Sequence, residues 1–225
     1  MPLTLHDDLS CCRVDNRLIF LDLESDRYFR LPPDLEHAFD HHMQGELVKQ
    51  LDRERLRHLG IPAIPTSIRH SLSGEVIPPL RSALEHQDPA STLRSSTILD
   101  TSIAVLNIKS RLAAGHLSTT IRYVAARRSA QAMAVIEMPS KARIRQLLQA
   151  TCEFRCARLY VPIRPSCLLD SLAMVMFLAK RGLHASIVIG VTSAPFSAHC
   201  WVQTGDLVLN DTVGNARAFT PIRVI

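Results

Sequence analysis

Ser166-Cys167-Leu168-Leu169-Asp170-Ser171-Leu172-Ala173-Met174-Val175-Met176-Phe177-Leu178 is the stretch on which the reading of this chain turns. It predicts a strongly apolar helix, closed by Gly182, with Ser166 as its N-cap and Cys167 in its first turn. Backbone N–H groups there have no intrahelical partner, and the helix dipole favours negative charge. A thiol at that place ionises more easily than a free one. So apolar a helix is expected to be buried, holding the sulfur rigidly at the mouth of a core. Cysteine nucleophiles are built this way, but a structural cysteine can occupy the same position, so Cys167 alone leaves both readings open.

Downstream, residues 185–191 read as a strand, followed by a short loop with Pro195. Ala198-His199-Cys200-Trp201-Val202-Gln203 and Leu207-Val208-Leu209-Asn210-Asp211 then read as two strands joined by the three-residue loop Thr204-Gly205-Asp206. If Gln203 pairs with Leu207, His199 falls directly across from Asp211. Cross-strand partners have Cβ atoms about 5 Å apart, within reach of a carboxylate–imidazole bond. Three roles follow: Cys167 attacks a carbonyl carbon, His199 handles the proton, and Asp211 orients His199. The bland alternative is an ordinary polar pair on a sheet face. The oxyanion donor is expected to be the Cys167 N–H or a side chain from residues 162–166. Asp170, one turn after Cys167, has a charge that opposes thiolate formation and is not the expected acid.

Upstream, residues 96–160 read as helices over 98–112, 116–138 and 140–160. Cys152 and Cys156 share a helix face and are expected to be buried apolar thiols, as are Cys11 and Cys12. Residues 109–158 are rich in arginine and lysine; a solvated helical surface is the expectation, with an acidic peptide or partner enzyme as the next choice. Residues 61–95, with Pro62, Pro65, Pro78, Pro79 and Pro89 among serines, read as a linker that Ile64, Ile68, Leu72, Val76 and Ile77 are able to dock. Residues 11–31 read as a three-stranded meander, and two helices follow, one after Pro32-Pro33-Asp34 and one over 47–59. His37, His41 and His42 are expected on an exposed face.

The whole chain has 225 residues, 47% hydrophobic and 21% charged, with a formal charge of +5. That composition supports an ordinary core. No Gly-rich phosphate loop or metal-ligand spacing is present, so neither cofactor nor metal is expected. The base lacks an accompanying nucleic-acid motif, so nucleic acid is not an expected partner. The longest apolar stretch is too short to span a bilayer, and the first residues carry acid where a signal peptide carries base. A cytoplasmic chain with reduced cysteines, away from the membrane, is expected.

Cys167, Ala198-His199-Cys200-Trp201-Val202 and Asp211 together resemble the lasso-peptide B proteins, the leader peptidases of microcin-type maturation. Their C-terminal domain is transglutaminase-like, with a cysteine starting a helix, a histidine in an Ala-His-x-Trp-Val strand and an aspartate in the next strand. Leu21-Asp22-Leu23-Glu24-Ser25-Asp26-Arg27-Tyr28-Phe29 resembles the strand–turn–strand of the peptide-recognition element of peptide-modifying systems. The resemblance implies an α+β chain: a winged-helix-like leader-recognition domain over 1–60, the linker 61–95, and a papain-like transglutaminase domain over 96–225, its helices packed on an antiparallel sheet. It implies that a leader peptide adds as a strand beside Arg27, Tyr28, Phe29, Arg30 and Leu31 and packs on the helix carrying Leu51 and Leu56. The implied function is a cysteine peptidase that cuts the leader from a ribosomally made precursor peptide. The implied partner is an asparagine-synthetase-like lasso cyclase, which would carry the ATP chemistry. A transglutaminase-like acyltransferase and a catalytically inert leader-binding scaffold remain alternatives.

Overall fold

A computed structural model describes residues 3–6, 8–61, 76–85, 93–132 and 141–225. The first sheet has strands β1 (Leu3–His6), β2 (Leu9–Val14), β3 (Arg17–Asp22) and β4 (Arg27–Phe29), antiparallel and in that order. Asp15 and Asn16 both have positive φ, the backbone that a two-residue turn between β2 and β3 requires. The Asp22 carboxylate accepts from the N–H groups of Glu24 and Ser25 and shapes the next turn. The meander thus has four strands rather than three, since the acidic N-terminal segment supplies β1.

Helices α1 (Pro33–Met43) and α2 (Gln50–His58) follow. Leu35, Ala38 and Phe39 of α1 are buried, and so is His42, against the expectation of an exposed histidine cluster. One turn beyond Ala38 and beside Phe39, its ring lies on the helix face turned to the sheet. Helix α2 starts later than residue 47 and leaves Leu47 and Leu51 98% and 68% exposed. Leu18, Phe20, Leu31, Phe39, Val48 and Leu56 form a small core between these helices and the sheet. Phe20 stacks on Phe29 and meets Phe39 edge-on.

Strands β2 and β3 are buried on both faces. Because side chains alternate along a strand, Leu18 and Phe20 face the helices while Ile19 and Leu21 enter a larger core. That core belongs to the rest of the chain: α3 (Ser95–Ala114), α4 (Leu117–Ala132), α5 (Lys141–Arg158), α6 (Cys167–Ala179) and a second sheet. Polar ties reinforce the join: Arg122 pairs with Asp8 at 2.8 Å, Arg30 donates to the Ser193 carbonyl at 2.9 Å, and Ser193 bonds Asp15.

The second sheet contains β5 (Arg81–Ser82), β6 (Ser186–Ser193), β7 (Phe196–Thr204), β8 (Leu207–Val208) and β9 (Thr220–Val224), in the order β5-β8-β7-β6-β9. A short helix, α7 (Val213–Arg217), precedes β9. Among the described residues, only β5–β8 is a parallel pair. Strand β5 comes from the 61–95 stretch; Val76 packs on the sheet, while Ile64, Ile68 and Leu72 lie outside the described residues, as do residues 133–138 of the expected helix. Helix α6 is the central element, packed against α3, α4, α5 and β7. Two members of the basic stretch are not solvated: Arg158 is buried, and half-buried Arg128 donates to the Ala185 and Ile225 carbonyls. Among the described residues, no helix is long and apolar enough to cross a membrane.

The shared core has a measurable consequence. Leu21 is fully buried in the first sheet, while the single tryptophan, Trp201, lies in the second. Leu21→Ala should destabilise by about 2–5 kcal/mol. In urea unfolding the loss should appear in Trp201 fluorescence; a Trp201 transition unmoved by the substitution would mean that the sheets unfold separately.

Candidate active site

Cys167 opens α6, and Ser166 caps it in extended conformation with its hydroxyl accepting from the Leu169 N–H at 3.3 Å. Beyond the first turn nearly every residue of α6 is buried, yet Cys167 itself is exposed. Its sulfur faces a cleft of about 500 Å3 shared with Arg158, His199 and Asp211. Cys152 and Cys156 line the same cleft, Cys152 half-buried and Cys156 exposed, so the expectation of buried thiols fails there. The helix α5 face that carries them forms the cleft wall. Cys11 and Cys12 are buried, and burial pushes both thiols up to about 12.

His199 lies on β7, and its Nε2 meets the Asp211 carboxylate at 2.5 Å. The imidazole shares the cleft with the Cys167 sulfur and acts on it electrostatically. Since Asp211 takes Nε2, Nδ1 is the nitrogen left for the sulfur. The Cys167 thiol is held below its ordinary value of 9.0, first by the bond with His199; burial opposes this, and the His199 charge and the N–H groups of Cys200 and Leu168 add to it. His199 is raised from 6.5, first by the bond with Cys167, against burial and with help from Asp211. Both shifts favour a thiolate–imidazolium pair. Neighbouring Cys200 is pushed up to about 12 by burial and stays a neutral thiol.

The route by which Asp211 reaches His199 differs from the register expected of the hairpin. Thr204 pairs with Leu207 and Gln203 with Val208, so the turn is only Gly205-Asp206, with Gly205 at positive φ. Continued pairing would set Cys200, not His199, opposite Asp211. The ladder ends first: Leu209 N–H still reaches the Val202 carbonyl, but the Val202 N–H is taken by the Asn210 side chain at 2.7 Å. Asp211 thereby leaves the strand in a loop, and its side chain meets the imidazole from there.

Asn210 also donates to the Ser171 hydroxyl at 2.9 Å, and Ser171 donates to the Cys200 carbonyl at 3.1 Å. Ser171 lies one turn beyond Cys167, Cys200 follows His199, and Asn210 precedes Asp211. One buried hydroxyl therefore ties together the neighbours of all three residues. Neither Ser171 nor Asn210 stood out in the sequence, because each is a small polar residue with no motif of its own; a serine inside so apolar a helix was the available signal.

Other residues shape the surroundings. Trp201 and Phe219 flank the His199 ring at 6.0 and 5.1 Å between centroids. Gly190 pairs with His199 across β6 and β7, and a Cβ on it would come within 2.8 Å of both Trp201 and Phe219. Asp170 is paired with Arg158 at 2.7 Å, which offsets the charge that would oppose the thiolate. The same guanidinium donates to the Val161 and Ile163 carbonyls and fixes the approach to Cys167.

The remaining predicted site residues belong to the first sheet and α2. Arg27 and Arg30 are exposed, Tyr28 and Phe29 half-buried, and Leu31 and Leu56 lie in the small core, whereas Leu51 is at the surface. Strand β4 pairs only with β3 among the described residues, so its other edge is open. Tyr28 meets Phe196 of β7, ring centroids 5.4 Å apart. Burial raises its phenol above the ordinary value.

The profile of the transglutaminase-like superfamily matches residues 104–224. The microcin J25-processing protein McjB of Escherichia coli is 42% identical over 48 residues, covering 21% of this chain and 23% of that protein, under a quarter of its length. No solved structure matches.

Two outcomes follow from the geometry. Iodoacetamide should alkylate Cys167 at pH values well below its ordinary 9.0, because the thiolate persists down to the lowered pKa. His199→Ala should move that limb upward; peptide-resolved mass spectrometry measures both and separates Cys156. Ser171→Ala strands the Asn210 amide and should destabilise by about 1–3 kcal/mol in denaturant titration, with slower Cys167 alkylation.

Proposed function

This chain belongs to the transglutaminase-like superfamily, and from that membership we propose that it is a cysteine peptidase that removes the leader from a ribosomally made precursor in lasso-peptide biosynthesis. The observation that carries the reading is the Cys167 sulfur in one open cleft with an imidazole whose Nε2 is held by Asp211 at 2.5 Å. The thiolate of Cys167 attacks the scissile carbonyl carbon. The N–H of Cys167, in the first turn of α6, is the proposed donor to the oxyanion. His199 gives its proton to the leaving amine, which departs as the α-amine of the core peptide. Water, deprotonated by His199, then attacks the thioester and releases the leader with a free carboxylate. Asp211 keeps Nε2 occupied throughout, so Nδ1 handles every proton.

The leader is proposed to dock on the open edge of β4, as an added strand beside Arg27, Tyr28, Phe29, Arg30 and Leu31. Exposed Leu47 and Leu51 beside α2 offer apolar contact, with Leu56 beneath. The partial likeness to a microcin-processing protein supports a peptide precursor as substrate. A cyclase of the asparagine-synthetase type is the proposed consumer of the product, since its new α-amine is the group that a ring-closing amide bond needs. The reaction is proposed to take place in the cytoplasm.

Cys167→Ala should abolish cleavage of a precursor peptide, read by product mass, while leader affinity, read by fluorescence anisotropy, stays within about twofold, because the docking edge is separate from the sulfur. Binding without cleavage by the wild-type protein would make it a scaffold. A product carrying an added amine, in place of the hydrolysed leader, would make it an acyltransferase.

A further inference from the structure

The Asp211 carboxylate is held by more than His199. Its Oδ1 accepts from the Thr212 N–H at 2.7 Å, and its carbonyl accepts from the Ser82 hydroxyl at 2.6 Å. Its Oδ2 accepts from His199 Nε2 and also, at 2.8 Å, from the side-chain amide of Asn215. The Asn215 and His199 nitrogens lie 3.3 Å apart and converge on that oxygen. The opposite amide orientation would set a carbonyl oxygen against a carboxylate oxygen, acceptor against acceptor, so chemistry fixes which end of Asn215 faces Asp211. Asn215 is placed by its own backbone, whose N–H donates to the Thr212 hydroxyl that caps α7.

We propose that Asn215 is a positioning residue of the active site: its amide fixes the Asp211 carboxylate so that His199 offers Nδ1, and not Nε2, to Cys167. A carboxylate rotates about its last torsion within a broad well. With His199 as its one side-chain partner, Oδ2 would exchange with Oδ1 and with water. A second charge-assisted donor removes that freedom and stabilises the ionised carboxylate beside an imidazolium. The role rests on the reading that Cys167, His199 and Asp211 react together. Asn215 does not itself line the cleft, and the hydrogen bond through which it acts is the one to Asp211.

The test needs no substrate. Cys167 in the full chain is alkylated with iodoacetamide across a series of pH values reaching from its ordinary 9.0 down into acid, in wild type, N215L, D211N and the double variant. Leucine keeps the branched skeleton of asparagine and removes the donor, and residue 215 is exposed, so the core is untouched. Without the donor Asp211 supports the imidazolium less, and the thiol pKa rises. N215L should therefore move the acid limb to higher pH and slow alkylation at pH 6 about three- to tenfold. In the D211N background the same substitution should change nothing, since the group it positions is gone. A wild-type profile for N215L, or an equal shift with and without Asp211, overturns the proposal. If instead H199A leaves Cys167 alkylation unchanged, the three-residue reading itself fails, and Asn215 has nothing to position.

Discussion

One buried hydroxyl holds this active site together. Ser171 accepts from Asn210 and donates to the Cys200 carbonyl, joining the helix of Cys167, the strand of His199 and the loop of Asp211. Each partner is a chain neighbour of Cys167, His199 or Asp211 or lies one turn from it. Small displacements at Ser171 therefore pass directly into the Cys167–His199 and His199–Asp211 distances. A polar junction inside an apolar core is costly when half-satisfied and specifying when complete, and here every hydrogen-bonding group on it has a partner.

The electrostatics depend on that fixed geometry. The Cys167 thiol is held below its ordinary value because an imidazole, two backbone N–H groups and the start of a helix converge on it. The nearest opposing charge, Asp170, is engaged by a buried guanidinium that also staples the approach segment. Cys200, one residue from His199, meets the opposite environment and stays protonated. The same chemical group, placed at a cleft mouth or in a core, is thereby eased toward ionisation or kept neutral.

The first sheet is part of this arrangement. Its inner face supplies Cys12, Ile19, Leu21 and Leu23 to the core around α6, and Tyr28 brings its open edge strand against β7. On the proposed function, peptide recognition and bond cleavage occur on elements that share one core among the described residues. Residues 76–85 contribute too: Arg81 pairs with Asp206, Gln203 reaches the Ile77 carbonyl, and Ser82 anchors the backbone of Asp211. What composition marks as a connection is here partly a brace for the acid-bearing loop.

The sequence by itself determined what is local. The apolar run from Leu168 to Leu178 with Ser166 before it specified a capped, buried helix with Cys167 at its tip, and turn residues such as Asp15-Asn16 marked the hairpins. Helix ends and strand alternation are short-range steric and hydrogen-bonding effects, so one stretch of chain carries them. The tertiary structure alone decided what depends on distant partners. It set the β7–β8 register one residue from the expected one and released Asp211 into a loop. It paired Arg81 and Ser82 with β8, buried Arg158 and His42, and exposed Cys156. Pairing register, the partner of a charge and the side of a helix that meets solvent are settled by contacts outside the stretch that carries the local pattern, and no local pattern records them.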